Sequence, residues 1–245
     1  MDETVASIVV PAELDACTIV TLSLAIKRAV DDPSIQVLVF HGADGIFCRG
    51  MSLGGLVSSE MIGDPTEGVR AFARCLEVLR LAEKPTIAVV DGDALGGGLG
   101  IAAACDVVLA TPDAAFGLPE LLLGLLPAIV LPVLLERMPA QQARLLALRA
   151  ESVSAERARD LGLADEVVPA DDLLRIVRRW VRALSRPDPG AVAGLKRYSA
   201  ELSGLGVTAG LSRGAGLTAE RLADRALRET IRDFVAGGAP PWLAR

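Results

Sequence analysis

Three short segments hold the residues whose types and spacing could do chemistry. The first is Gly45-Ile46-Phe47-Cys48-Arg49-Gly50-Met51-Ser52-Leu53, which follows a β-rich run directly. The second is Gly92-Asp93-Ala94-Leu95-Gly96-Gly97-Gly98-Leu99-Gly100, set between a strand and an Ala-rich helix. Three consecutive glycines at a helix start let the backbone approach a ligand closely and aim amides and the helix dipole at negative charge. The chemistry is that of an oxyanion or phosphate site, and the ordinary alternative is a tight turn that lets helix and strand pack. The segment is neither a dinucleotide fingerprint nor a P-loop, since it has no acidic residue at the right distance and no Lys-Ser/Thr ending. The third segment is Ala115-Phe116-Gly117-Leu118-Pro119-Glu120, which follows the next strand. Glu120 stands among Leu118, Leu121, Leu122 and Leu123, where desolvation raises a carboxyl pKa toward the range useful for proton transfer. Its ordinary alternative is a helix-start glutamate that complements the dipole.

These segments need a scaffold. Val5 to Val10 and Gln36 to Phe40 are β-rich runs flanking a helical stretch from about Thr18 to Val30, a β-α-β order that implies a mostly parallel sheet. After a polar loop from Gly54 to Gly68 comes a helix to Ala82, then the strand Thr86 to Val90, the glycine turn, the Ala-rich helix and the strand Asp106 to Ala110. Beyond Pro139 the reading is helical: Gln141 to Ala150, Ser154 to Leu161 with Ser154 as N-cap and Gly162 as C-cap, and Asp171 to Arg186, interrupted by the strand Asp165 to Val168. In the tail, Ala223, Leu227, Ile231 and Phe234 fall on one helical face that starts near the cap candidate Thr218 and ends at Gly237-Gly238. The apolar stretch Leu121 to Leu135, broken by Gly124, Pro127 and Pro132, is too short to span a bilayer and reads as buried core. Expected is an α/β core over residues 1–186 and a helical region over 187–245.

A chain of 245 residues with 51% hydrophobic and only 3% aromatic residues builds its core from Ala, Leu and Val. The formal charge of -6 argues against general nucleic-acid binding. The cysteines Cys17, Cys48, Cys75 and Cys105 have no paired spacing, and with one histidine no Cys/His metal cluster assembles. The acidic start Met1-Asp2-Glu3 does not resemble a signal peptide. The expectation is a reduced, metal-free, cytoplasmic protein with no membrane association. His41 ends a strand and reads as structural, and Arg175, Arg178, Arg179, Arg182 and Arg186 read as a solvated helix face.

Taken together and in order, the three motifs resemble the enoyl-CoA hydratase/isomerase (crotonase) superfamily, over about Pro11 to Pro169. The resemblance implies a β-β-α spiral core with a C-terminal helical trimerisation region. It also implies an oxyanion hole made by the backbone N–H groups of Met51 and Gly97, with Gly50 and Gly98 beside the substrate, and an acid/base at Glu120. Hydratases of that superfamily use two glutamates, and the position of the other one is Gly100 here. Gly97 to Gly100, Pro119 to Ala128, Val130-Leu131-Pro132, Leu195-Lys196-Arg197-Tyr198 and the ending Pro241-Trp242 further resemble the dehydratases of polyketide β-branching cassettes. Those enzymes convert 3-hydroxy-3-methylglutaryl groups on an acyl carrier protein to 3-methylglutaconyl thioesters and need no cofactor.

A methylglutaryl group carries a free carboxylate, for which Arg49 is the candidate partner, with Ser52 close by. Lys196 and Arg197 are the candidates for the phosphopantetheine arm or acidic surface of the carrier. Two departures from the superfamily stand out: there is room for only one strand before Pro11, and Asp15-Ala16-Cys17 replaces an asparagine-containing loop. Competing readings are a CoA-linked hydratase or isomerase and a noncatalytic carrier-binding scaffold. A companion decarboxylase is disfavoured by the lack of a C-terminal histidine. Relatives form trimers or hexamers, and a mean hydropathy of +0.44 is compatible with buried subunit contacts.

Overall fold

Residues 3–52, 65–202, 204–238, 240 and 242 are described by a computed structural model of the chain. Two sheets and a set of helices form a mixed α/β architecture. The first sheet is parallel throughout, in the order β1 (Val5–Val9), β2 (Val37–His41), β4 (Thr86–Val90), β6 (Val107–Ala110), β9 (Glu166–Val167). The second has the order β3 (Ile46–Cys48), β5 (Asp93–Leu95), β7 (Ala115–Gly117), β8 (Val153–Ser154), with only the last pair antiparallel.

Alternation along the first sheet sorts its side chains onto two faces. Leu38, Phe40, Ala88, Val90, Val108 and Ala110 point into the main core, which they share with α1 (Ala16–Asp31), α2 (Pro65–Arg80) and α3 (Gly97–Ala104). Val37, Val39, Ile87, Val89, Val107 and Leu109 point the other way and are covered by α7 (Leu173–Leu184) through Ile176 and Val177. Both faces are covered, so these strands carry uninterrupted apolar runs. Helix α1 buries Ile19, Leu22, Ile26 and Ala29 along one stripe. Its start is set by Asp15, whose carboxylate accepts from Thr18 N while the Asp15 N–H donates to Thr18 Oγ1, both at 2.8 Å. His41 has a structural place, with Nε2 2.9 Å from Ser7 Oγ and Nδ1 2.9 Å from the Gly42 carbonyl.

Several expectations change. The motif-bearing loops are not plain loops, because each opens with a short strand of the second sheet, too brief to show a period. Asp44 (φ 53°) and Gly45 (φ 71°) form the tight turn into β3, closed by Ala43–Ile46 backbone bonds in both directions. Helix α2 starts at Pro65, so Gly68 is helical; the rest of the polar loop, with Leu53, lies outside the described residues. Leu121 to Leu135 is not wholly core: Leu122, Leu123, Leu125, Leu126 and Leu135 are exposed, whereas Val130, Val133 and Leu134 are buried.

After α4 (Leu131–Arg137) and α5 (Ala140–Arg149) comes α6 (Ala155–Asp160), which is capped by Ser154 as expected, and Gly162 follows it at φ +85°. The tail holds α8 (Pro189–Leu202), α9 (Val207–Ala223) and α10 (Arg225–Val235). Thr218 lies inside α9, its hydroxyl donating to the Gly214 carbonyl, and Asp224 is the cap of α10. Ala223 therefore belongs to a different helix from Leu227, Ile231 and Phe234. Pro241 is outside the described residues. Among the described residues no helix is long and apolar enough to cross a membrane.

Candidate active site

β3, β5 and β7 are adjacent and parallel, so the segments that leave their carboxyl ends emerge side by side. Gly50-Met51 leaves β3, Gly96-Gly97 leaves β5, and Pro119-Glu120 leaves β7. This strand order, which no single motif contains, brings the three motifs together.

The first segment is held as an extra strand against residues 12–14. Arg49 N donates to the Ala12 carbonyl at 2.7 Å, Leu14 N to the Gly50 carbonyl at 2.8 Å, and Ser52 N to the Leu14 carbonyl at 2.9 Å. The bridge between Leu14 and Met51 is parallel and uses the groups on either side of Met51. The Met51 N–H is thus turned away from Leu14. Gly50 has φ +84°, and a β-carbon there would stand 2.9 Å from Gly97 N and 3.0 Å from the Leu95 carbonyl oxygen. Only glycine lets the two segments meet so closely. Beneath them the Cys48 thiol accepts from Gly50 N at 3.4 Å, and burial pushes its pKa up to about 11, so it stays protonated.

In the second segment Gly96 has φ +51° and donates from N to the Gly117 carbonyl at 2.9 Å, which ties β5 to β7 at the site. Helix α3 then starts at Gly97 and is buried along its whole length. First-turn N–H groups of a helix have no partner within it, so Gly97 presents a donor at the positive end of α3. A β-carbon at Gly98 would be 2.0 Å from the Cys48 carbonyl oxygen. Gly98 therefore lets helix and strand touch backbone to backbone; neither it nor Gly50, both expected beside the substrate, is among the residues that line the cavity.

Glu120 is the second residue of a short 3-10 turn, Pro119–Leu123, that Gly124 ends at φ +73°. Its Oε2 is buried and has no hydrogen-bond partner. Burial raises the carboxyl pKa above the ordinary value, and a hydrogen bond to its own backbone N–H offsets only part of the effect. A carboxyl with an idle, desolvated oxygen suits proton transfer to and from a ligand. Arg49, Met51, Gly97 and Glu120 all line one cavity of about 370 Å³, closed otherwise by apolar side chains such as Phe72 and Val130.

Gly100 is tightly packed: a β-carbon would lie 3.1 Å from Val130 Cγ2 and 3.3 Å from Leu76 Cδ1, so these side chains would have to shift to admit a second acid. Arg49 reaches the cavity with its Nε bonded to Asp93 Oδ2 at 2.9 Å. Lys196 and Arg197 do not line this cavity. The Lys196 ammonium bonds Asp106 Oδ2 at 2.6 Å in a separate cleft of about 650 Å³, and Arg197 pairs with Glu83. In that cleft Arg80 pairs with Glu136, and Arg137 with Asp165, so its cations are matched by acids. Of the arginines read as a solvated face of α7, Arg175 pairs with Asp172 and Arg179 with Glu166. Among the described residues no cluster of His, Cys, Asp and Glu could hold a metal.

Two contributors were given no role by the sequence: Phe72, which walls the cavity, and Asp93, the partner of Arg49. Asp93 sits two residues before Leu95 in a strand too short to recognise. Phe72 lies on a helix whose apolar face looks like any other.

A family model described as Enoyl-CoA hydratase/isomerase matches residues 11–245. The chain is similar to a carnitinyl-CoA dehydratase of Proteus mirabilis, 33% identical over 78% of this chain and 74% of that protein. It is also similar to a 2,3-dehydroadipyl-CoA hydratase of Escherichia coli, 30% identical over 90% of this chain and 86% of that protein. A glyoxysomal fatty acid beta-oxidation multifunctional protein of Brassica napus is 34% identical over 63% of this chain, which spans only 22% of that longer protein. Among solved structures, Pseudomonas aeruginosa AtuE superposes with a TM-score of 0.91 at 31% identity, covering 99% of this chain and 97% of that one.

Proposed function

The chain belongs to the enoyl-CoA hydratase/isomerase family, and from that premise we propose that it is a hydro-lyase that removes water from a 3-hydroxyacyl thioester with one carboxylate. The observation that carries the reading is the buried, partnerless Oε2 of Glu120 in a cavity shared with Met51 and Gly97, in a chain that has glycine at position 100. The thioester oxygen accepts from the Met51 and Gly97 N–H groups. Glu120 takes the C2 proton, and the electron pair of that bond passes into an enolate held by the two amides. As the enolate collapses to the C2=C3 double bond, the C3–O bond breaks and the protonated Glu120 returns its proton to the departing oxygen. The products are an enoyl thioester and water, and Glu120 is again a carboxylate. One oxyanion donor of this kind is worth about 3–4 kcal/mol of transition-state stabilisation.

The substrate we assign is 3-hydroxy-3-methylglutaryl on an acyl carrier protein, converted to 3-methylglutaconyl, as in polyketide β-branching. The support is the run of residues from Pro119 to Ala128 with glycine at position 100. In this reading the protein is cytoplasmic and assembles as a homotrimer or hexamer through residues 187–245, and Lys196 and Arg197 face the carrier only once their present acidic partners are exchanged. The second reading, a CoA thioester as substrate, is favoured by relatives named as carnitinyl-CoA dehydratase and 2,3-dehydroadipyl-CoA hydratase. An exposed Glu120 distant from Gly97 would favour a noncatalytic scaffold; a half-buried Glu120 that lines the same cavity as Gly97 supports the catalytic reading instead.

The test is incubation with 3-hydroxy-3-methylglutaryl-carrier protein and, separately, the CoA ester, followed by mass spectrometry for loss of water. Turnover of the carrier-bound form supports the first reading and turnover of the CoA ester alone the second. Undiminished turnover by Glu120→Gln overturns the mechanism.

A further inference from the structure

Two N–H groups on separate segments make one oxyanion hole only if their spacing is fixed, because each donor must stand about 2.7–3.1 Å from the same oxygen. The segments that carry Met51 and Gly97 meet at Gly50, where a β-carbon would stand 2.9 Å from Gly97 N. A glycine-to-glycine contact has no side chain to interlock, so the alignment needs a brace from elsewhere. Leu14, which does not line the cavity, touches both segments.

Its backbone holds the first. Leu14 N donates to the Gly50 carbonyl at 2.8 Å, and the Leu14 carbonyl accepts from Ser52 N at 2.9 Å. Arg49 N is spent on the Ala12 carbonyl and Gly50 N on the Cys48 thiol, so Met51 N–H is the one in this run that these bonds pass over. The Leu14 side chain props the second segment. A β-carbon at Gly97 would stand 2.9 Å from Leu14 Cδ1 and 3.1 Å from Phe72 Cζ, so two apolar side chains press on the Gly97 Cα. Leu14 is 0% exposed and Phe72 2%, and a close-packed interior of this kind yields little. Phe72 touches Gly97 alone among the two donors' segments, whereas Leu14 joins one to the other.

We propose that Leu14 is a positioning residue that sets the spacing of the Met51 and Gly97 N–H groups. The proposal rests on the reading of these amides as the donors to a thioester oxygen and deepens it. The test is carbon NMR of the full-length protein with butyryl-pantetheine, isotopically labelled at its thioester carbonyl, which carries the arm common to CoA and carrier proteins. Two donors on the carbonyl oxygen polarise it and move its resonance downfield when it binds wild type. Leu14→Ala keeps the backbone bonds and removes the prop, and it is expected to lose most of that displacement. Its kcat for dehydration is expected to fall about 10- to 100-fold with KM little changed, as a displaced transition-state donor implies. Leu14→Met, which nearly conserves volume, is expected to recover most of both. Leu22→Ala, which makes the same truncation on α1 in the same core, is expected to lose stability and keep the displacement. Leu14→Val, a smaller truncation, decides the matter if Leu14→Ala does not fold. An unchanged displacement in the folded Leu14 variants, or an equal loss in Leu22→Ala, overturns the proposal and leaves the thioester reading standing. A wild type that moves the carbonyl resonance not at all overturns the thioester reading, and the proposal falls with it.

Discussion

The carboxylate of Glu120 rests on Gly96, so closely that a β-carbon at the glycine would stand 3.1 Å from Oε1 and 3.7 Å from the carboxyl carbon. Gly96 also has φ +51° and gives its N–H to the Gly117 carbonyl, so one residue joins β5 to β7 and seats the acid/base. Gly96→Ala therefore carries two penalties. Backbone strain at positive φ costs about 1–3 kcal/mol of stability. Displacement of the carboxylate by a fraction of an ångström to an ångström lowers kcat by up to about 100-fold. Urea unfolding and steady-state kinetics on the same preparation check the pair of effects, and full activity in Gly96→Ala would contradict this seat.

Glu120→Gln is expected to cut turnover by about 10²- to 10⁴-fold, the usual weight of a positioned acid/base. The same change should make the protein more stable at neutral pH. Burial raises the folded-state pKa of Glu120, so between the unfolded and folded values the native state holds more protons and stability falls as pH rises through the folded value. Glutamine carries no charge to desolvate, so the melting temperature of Glu120→Gln should exceed that of wild type at neutral pH. The difference should shrink as pH drops below the ordinary carboxyl value. Differential scanning calorimetry across pH reads this directly.

The activity of wild type should fall on the acid side with a midpoint above the ordinary glutamate range, because Glu120 works as a base only when ionised. A pH profile of kcat/KM that stays flat down to the ordinary carboxyl range would show that another group abstracts the proton.

Gly100→Glu should not install a second working acid. Its β-carbon would crowd Val130 Cγ2 at 3.1 Å and Leu76 Cδ1 at 3.3 Å, and overpacking of this kind costs about 1–3 kcal/mol. The double variant Gly100→Glu/Val130→Ala should regain much of that loss, because truncating Val130 opens the space. Equal stability of the single variant and wild type, measured by chemical denaturation, would mean that Val130 yields freely.

Lys196→Met should destabilise the protein by about 1–3 kcal/mol, since it strips a charge from Asp106. The Asp106 carboxylate also accepts from Thr86 N at 2.8 Å and Thr86 Oγ1 at 2.9 Å, so the ion pair secures the start of β4. The Lys196 side chain is only 11% exposed, which separates it from an ordinary surface pair. Urea midpoints compare the two proteins.

The central strands of the first sheet were legible because they are long enough and covered on both faces, so the runs Gln36 to Phe40 and Thr86 to Val90 match β2 and β4 to within a residue. Ser154 announced α6, because a side-chain oxygen at a helix start is a local device. The end of the chain was less legible. The stripe through Ala223 and Leu227 reads as one helix, yet Asp224 at φ -65° and ψ 119° breaks it and caps a new one. Leu121 to Leu126 reads as core because hydropathy does not say whether an apolar residue lines a cavity or fills one; here Leu125 and Leu126 border the cavity of Glu120.

The sequence by itself determined the chemical parts: a backbone able to come close at Gly50 and at Gly96 to Gly98, one carboxyl in an apolar setting, and no second acid at Gly100. Such properties reside in single residues and their neighbours. Only the tertiary structure decided that these parts form one site. The reason is the adjacency of β3, β5 and β7, three-residue strands whose pairing depends on partners far along the chain. The same holds for Arg49, whose side chain is turned by Asp93, and for Lys196, whose ammonium goes to Asp106 in another cleft. Residue type names a charge, and long-range packing decides where that charge is spent.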